Sequence, residues 1–592
     1  MPRGAFARLA RISALAVAAI TIGVVVAPIA NADATVTVGP VVPITYDAAI
    51  TGPVTHASID AVSCTSPGDC VAVGTFTSPS SPDASFTMSS TNGVWSPATQ
   101  IGGANQTIAV SAKSVSCSSG GSCFVVGSIK LSATSTVAFI APVGGQPFEA
   151  DFGTSPLATA PYSQFNSISC TRANNCVAVG DAVDAQNVRT PFMESVTSST
   201  QSPSGQQTPI VVATYGALPP ASPAVATLTT VSCSSPGNCT ATGSYTNAAK
   251  NQTAISVTEA NGSWGSIIPV AFAPHTLFAT PLSIFSAVSC TGAHDCTAIG
   301  EFMDVHGDIQ PFSATLSRGV WSNARPPVFG RGVQNSSPHA VYTALSCSSP
   351  GNCTAVGAYN IVSTPAKQTA AVRGFGDVQT NGTWANATSS VLRAGVEAAP
   401  YNDYFTGVSC AAASFCTAVG QYQDATGAIH PFLESSLAGT WQRAVVPVIS
   451  PSIQYSPTDA AFAAVSCPQV GNCLAVGYYS NTADSAQGFS QFTTGPPPSA
   501  TTARVLASHH VVGSSVTVRA HVTGHHPSGR VSFSVDGLRI VGCAARPLNA
   551  HGQSTCVSAR FARGHHVITV VYLGDAKNGP SMSRTTVTVS PH

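Results

Sequence analysis

The chain has 592 residues, 24 of them basic and 24 acidic, and no formal net charge. That length exceeds a single ordinary core and calls for several domains or one large repeat array. Charged residues make up 8%, far below the roughly 25% of a typical soluble protein, while 44% are hydrophobic; this supplies a core without membrane spans, leaves Ser and Thr to solvate the surface, and gives no reason to expect a nucleic-acid partner.

Residues 1–32 read as a secretory signal peptide. Arg3, Arg8 and Arg11 form a basic start, and an apolar run spans Ile12 to Ile29. Ala30-Asn31-Ala32 then offers small residues where a signal peptidase reads them. The rival is an N-terminal membrane anchor, because the apolar run is fairly long. No later stretch reaches the ~18 consecutive apolar residues of a membrane helix. The chain is expected to be secreted or associated with the cell wall. Its 18 cysteines are an even number, which in an exported chain argues for disulfides.

A repeat follows, first as VSCTSPGDCVAVG from Val62 to Gly74. It recurs seven times, so that eight first cysteines lie 53 to 63 residues apart. Eight local disulfides are expected: Cys64–Cys70, Cys117–Cys123, Cys170–Cys176, Cys233–Cys239, Cys290–Cys296, Cys347–Cys353, Cys410–Cys416 and Cys467–Cys473. Each closes a short loop, so its entropic contribution is only about 2 kcal/mol. A metal site is the rival, but zinc favours four ligands at shorter spacing; no metal and no cofactor are expected.

Each copy reads as strands. An aliphatic residue, a serine and a cysteine end one strand, a polar turn follows, and the second cysteine opens the next strand. Gly lies four residues past the second cysteine in every copy, from Gly74 to Gly477. A third strand is marked sixteen residues past that cysteine by Phe86, Phe139, Phe192, Phe312, Phe432 and Phe489, with Ile255 in a seventh copy. Trp95, Trp264, Trp321, Trp384 and Trp441 each follow a Gly-x pair and mark a fourth strand. Four short antiparallel strands, repeated eight times, predict an all-β fold: an eight-bladed β-propeller over residues 33–494. A β-solenoid is the rival. The eighth copy has no Gly-x-Trp strand, whereas VGPVVPI at 38–44 is similar to RAVVPVI at 443–449. The N-terminus is therefore expected to complete the last blade and cover its edge.

On the S-C, C-x-A-V-G and G-x-W elements, residues 35–495 resemble the cysteine-paired propeller repeats in exported proteins of actinomycete bacteria. That resemblance implies a fold and not an activity. Thr91-Asn92-Gly93-Val94-Trp95 is faintly similar to the Asp-box turn of sialidase-type propellers, without its Asp.

A proline-rich linker occupies 495–502. Residues 503–592 then read as alternating strands. They resemble bacterial Ig-like domains of group 3 through Pro-Ser-Gly-Arg-Val-Ser-Phe at 527–533, Val535-Asp536-Gly537, Gly564 to Ile568 and Tyr572-x-Gly574-Asp575. The resemblance implies a β-sandwich, with Cys543 and Cys556 on adjacent strands and paired.

No catalytic set emerges. Asp181, Asp184, Asp304 and Asp308 are the densest acids, and solvated loops are their expected place. Nine of 15 histidines lie after residue 500; turn and exposed-strand positions are expected for them, with zinc or copper capture as the sharper alternative. From Asp33 to Pro498 there are 12 basic and 22 acidic residues, a net of −10; from Ser499 to His592 there are 9 and 2, a net of +7. Arg519, Arg530, Arg539, Arg560 and Arg563 are candidates for holding an anionic polymer of the cell envelope. The chain is thus expected to be a non-catalytic binding, adhesion or scaffold protein for a glycan or surface protein. The alternative is a propeller hydrolase or lyase acting on polysaccharide.

Overall fold

The computed structural model describes residues 36–590, apart from 51–52, 80, 103–108, 151, 153–155, 174, 197–210, 213–224, 274–281, 331–338, 362–370, 393–401, 414, 438, 451–458, 496–498, 507–509, 537, 559–560, 576 and 580. The signal-peptide assignment lies outside the described residues.

The fold is all-β, and one repeat shows how it is built. Strand β1 spans Thr37–Pro43 and belongs to the ring's seam, taken up below. In the first repeat β2 (His56–Ser66) pairs antiparallel with β3 (Asp69–Ser78), and β3 with β4 (Ser81–Thr91). The two-residue strands β5 (Val94–Trp95) and β6 (Thr99–Gln100) both pair with β4. The fourth strand is therefore two short stretches. The turn before it places Asn92 and Gly93 at φ 51° and 81°, the left-handed pair of a two-residue hairpin turn. Repeats 2 and 3 lack the tryptophan but keep an outer strand at Phe148–Glu149 and Val211–Val212.

A bulge sets the rest of the geometry. The inner strand of every repeat shifts register four residues before its first cysteine, leaving Asp60, Lys113, Asn166, Thr229, Ser286, Thr343, Thr406 and Ala463 unpaired. The extra residue drives a carbonyl of that strand toward the glycine of the next one. A Cβ on Gly74 would lie 2.0 Å from Ser58 O, and the equivalent glycines meet the same carbonyl at 1.9–2.1 Å. Across from each glycine sits the large residue of the third strand: Gly74 with Phe86, Gly243 with Ile255, Gly477 with Phe489. In repeat 6 the partner of Gly357 is Phe375, which residue counting misses because it lies 22 residues past Cys353 instead of sixteen. The phenylalanines are fully buried.

The inner strands contact one another in sequence from repeat 1 to repeat 8 and back to repeat 1. One hydrogen bond recurs at every step. Cys117 N donates to Ser63 Oγ, Cys170 N to Ser116 Oγ, Cys233 N to Ser169 Oγ and Cys290 N to Ser232 Oγ. Cys347 N donates to Ser289 Oγ, Cys410 N to Ser346 Oγ, Cys467 N to Ser409 Oγ, and Cys64 N closes the circle on Ser466 Oγ. All eight distances are 2.9–3.1 Å. The Ser-Cys dipeptide thus joins blade to blade through the serine and closes its own hairpin through the cysteine. All eight hairpin disulfides are formed.

At the seam, β1 pairs antiparallel with Ala486–Thr494, Thr37 opposite Thr494 and Pro43 opposite Phe489. Val38 and Val41 pack on the core of repeat 8. Just beyond, Ile44 N donates to Gly488 O at 3.1 Å, while the Tyr46 ring reaches Phe76 and Phe86 of repeat 1 at 6.4 Å.

The C-terminal segment is a two-sheet sandwich. One sheet contains Ala500–Val505, Val516–Thr523 and Gln553–Ser558. The other is built around Arg530–Val535, Gly564–Tyr572 and Ser581–Ser590. Alternate residues such as Val516, Val518, Phe533, Ile568, Val570 and Tyr572 fill the space between them. Cys543 and Cys556 are bonded, but not across adjacent strands. Cys543 lies in a turn of the second sheet and Cys556 on a strand of the first, so the bond ties the sheets together.

Candidate functional site

The inner strands begin at the end of the ring opposite the disulfides. At that end a cleft of about 650 Å³ spans repeats 8, 1 and 2. Its walls combine Ala57, Phe76, Ala84, Ala109, Val110 and Ala486 with the hydroxyls of Ser58, Thr75, Thr77, Ser111, Ser128 and Thr136. His56, Lys130 and Tyr478 line it as well. The pairing explains the mixture. Ser58 faces Thr75 and Ser111 faces Ser128 across antiparallel registers, so two hydroxyl pairs fall side by side.

Asp60, at the bulge just below, orients one of these pairs. Ser58 Oγ donates to Asp60 Oδ1 at 2.6 Å and Thr75 Oγ1 to Asp60 Oδ2 at 3.2 Å. The two hydroxyl oxygens also lie 3.1 Å from each other, and with their protons on the carboxylate they keep acceptor capacity. Desolvation raises the Asp60 carboxyl above its ordinary value; the two hydroxyls and Lys113 pull the other way. The arrangement accepts hydrogen bonds from a ligand rich in donors.

The acids singled out in the sequence lie elsewhere and do not converge. Asp184 and Asp304 accept two backbone N–H groups each within their own turns, at 2.8–3.1 Å. Asp308 lies 3.9 Å from His339. Asp181 is fully buried, where it holds Arg189 and accepts from Asn166 Nδ2 and Thr227 Oγ1 at 2.9 and 2.8 Å.

One perturbed carboxyl is not marked by any pattern in the sequence. Asp377 is 1% exposed between repeats 5 and 6, and burial pushes its pKa up to about 7 despite a 2.8 Å bond from Tyr342 OH. Tyr342 takes the place held by Phe285 and Phe405 in neighbouring repeats, so acid and phenol form a compensating pair in the wall. An acid whose folded pKa is raised favours the folded state while protonated. Its contribution is present below the unfolded value near 3.8 and is lost as pH rises toward 7, at up to about 1.4 kcal/mol per pH unit. Asp377→Asn is expected to melt higher than the parent at pH 8 and alongside it near pH 4. Equal differences at both pH values would rule out this ionisation.

Among the described residues no group of three potential metal ligands occurs. His566 is bound instead to Asp536, Nδ1 to Oδ2 at 2.6 Å, which raises its pKa and lowers that of the aspartate. The candidate arginines are not brought together. Arg519 is exposed on the three-stranded sheet, whereas Arg530 belongs to the other sheet and lines a cleft of about 790 Å³ toward repeats 6 and 7. Arg563 is exposed before Gly564–Tyr572. The Arg539 side chain and Arg560 lie outside the described residues. Arg584 Nη2 donates to Asn352 Oδ1 of repeat 6 at 2.7 Å.

Fold and site thus define a disulfide-stapled β-propeller-like protein carrying an Ig-like sandwich. Residues 502–590 match the family model of the bacterial Ig-like domain (group 3). No curated protein matches the chain. Among solved structures it is similar to the Hadza microbial sialidase Hz136, at 10% identity over 62% of this chain and 75% of that one, with a TM-score of 0.30. It is also similar to the Penicillium chrysogenum alpha-L-arabinanase solved with arabinobiose, at 9% identity over 77% and 98%, TM-score 0.31. A third is the subtype N10 neuraminidase-like protein of A/little yellow-shouldered bat/Guatemala/060/2010, at 10% identity over 65% and 96%, TM-score 0.30.

Proposed function

We propose that the chain is an exported, non-catalytic binding protein whose propeller holds a neutral glycan in the cleft of repeats 8, 1 and 2. The carrying observation is the lining: two facing hydroxyl pairs, one of them held by Asp60, with Phe76 and Tyr478 supplying rings. Sugar hydroxyls are donors that such acceptors match, and a few placed polar groups in a small concave site are what ligand pockets use for orientation. Nine formed disulfides support an oxidising compartment. In this reading the Ig-like sandwich serves as an anchor or spacer.

The test is a glycan and cell-wall array probed with the full chain and with a Ser58→Val/Thr75→Val variant. Loss of about tenfold or more in affinity, about 1.4 kcal/mol, with an unchanged melting temperature supports the reading. Equal binding by the variant would remove the cleft from it, and release of shortened glycan would turn the protein into a hydrolase.

A further inference from the structure

The Ig-like sandwich carries nine basic residues but only two carboxylates, Asp536 and Asp575. Both are engaged internally. Asp536 holds His566 and accepts from Val567 N. Asp575 accepts from Ser528 N, Tyr572 OH, Lys577 N and Asn578 Nδ2 at 2.7–2.9 Å, which depresses its pKa strongly. No acidic side chain of the sandwich is left for its arginines.

Two of those arginines face each other on the three-stranded sheet, and a third reaches them from a short strand of the other sheet, where Arg546 pairs with Val531. Arg504 and Arg519 are direct cross-strand partners and both are exposed. Such partners have Cβ atoms about 5 Å apart, and like charges there repel. Arg546 is exposed as well, and its Nε donates to Thr555 O at 3.3 Å, on the residue that faces Arg519 from the other side. Arg504 and Arg519 thus share one pairing, and Arg546 is held beside them by its bond to Thr555 O, while Arg530 and Arg584 are turned toward the propeller. Folding places two like charges opposite each other at a cost, and an anion lying between them removes that cost.

We propose that Arg504, Arg519 and Arg546 form a binding face for a phosphate-bearing polymer. A phosphodiester group has unesterified oxygens pointing in different directions, so one group can accept from two guanidiniums at once. All three side chains are exposed and none of them lines either described cleft, which suits a linear chain lying over the face rather than a small molecule in a pocket. The proposal stands independently of glycan binding by the propeller cleft.

The test uses the full-length protein and labelled inorganic polyphosphate as probe. At about 50 mM salt the parent is expected to bind, and at about 500 mM to lose most of its affinity through screening. Arg504→Gln/Arg519→Gln is expected to weaken binding at least about tenfold, and Arg546→Gln to weaken it less. Arg563→Gln, an exposed arginine off this face, should stay within about twofold. Free of ligand, the double variant should melt at the parent's temperature or above it, because a repulsion has been removed; a structural role would lower it. The cleft's glycan binding should be unchanged in all three variants. No binding by the parent, an unaffected double variant, or an equal loss in Arg563→Gln would overturn the proposal. Polyglutamate bound as tightly as polyphosphate would overturn the preference for phosphate, and duplex DNA bound more tightly than either would overturn the choice of polymer.

Discussion

Alanine in place of Gly180 is expected to destabilise the propeller by about 3 kcal/mol or more. The added Cβ would stand 1.9 Å from Gln164 O. That oxygen belongs to a backbone fixed by the bulge at Asn166 and by strand pairing on either side of it. Neither strand can yield without breaking its ladder. Gly93→Ala makes the contrast. Gly93 sits at φ 81° with nothing within 4 Å of the new carbon, so only the left-handed backbone is penalised, at about 1–2 kcal/mol. All five tryptophans lie in the repeats, so their emission during urea unfolding reports the propeller alone. Equal shifts for the two variants would show that the bulge is not what requires glycine.

Removal of residues 36–43 is the second large effect expected. It strips the partner from Ala486–Thr494 and leaves that strand as an open edge. It also removes Val38 and Val41 from the core of repeat 8. Each side chain is worth about 1.5–3 kcal/mol when fully buried. Both are only partly buried, so a loss on the order of 3 kcal/mol and concentration-dependent aggregation are expected. Scanning calorimetry and light scattering read the two effects. An added peptide of residues 36–48 should restore part of the melting temperature. A truncated protein that melts like the parent and stays monodisperse would show that the seam is held elsewhere.

Much of this architecture is legible in the sequence because it is local. The disulfide hairpins follow from two cysteines and a polar turn, and the outer turns from Asn-Gly and its relatives. The seam strand shows itself through VGPVVPI. What escapes is whatever depends on register. The bulge at Asp60 and its seven counterparts adds one residue that composition does not mark. Phe375 is hidden because spacing was counted from a cysteine, whereas the structure counts from the pairing with Gly357. The serine before each first cysteine is visible as a pattern, but its partner lies a whole repeat away.

The site was less legible for the same reason. Ser58 and Ser111 hold one position of the repeat, and Thr75, Ser128 and Tyr478 another, directly after the glycine, but only the ring brings repeats 8, 1 and 2 to one cleft. Among the arginines, a simple count of charge could not separate those turned to the propeller from Arg504, Arg519 and Arg546. Pairing register sets Arg504 opposite Arg519, and a hydrogen bond to Thr555 O brings Arg546 beside them from the other sheet. The expectation that Cys543 and Cys556 lie on adjacent strands failed likewise, because sequence proximity does not say which sheet a turn belongs to.

The serine-to-cysteine bonds bear on how the protein comes apart. A linear array of repeats has two terminal units, each with a single neighbour, and melts inward from them. Here every unit has a neighbour on both sides, bonded in the same way, and the eighth hands over to the first through Cys64 and Ser466. There is no end unit from which fraying can begin. Loss of one blade therefore exposes two interfaces at once instead of one, which doubles the penalty for the first step and makes later steps easier. A circular array of this kind is expected to unfold in one concerted transition, and the point at which it opens is the seam, the only place where the last strand of a blade is borrowed from the other terminus.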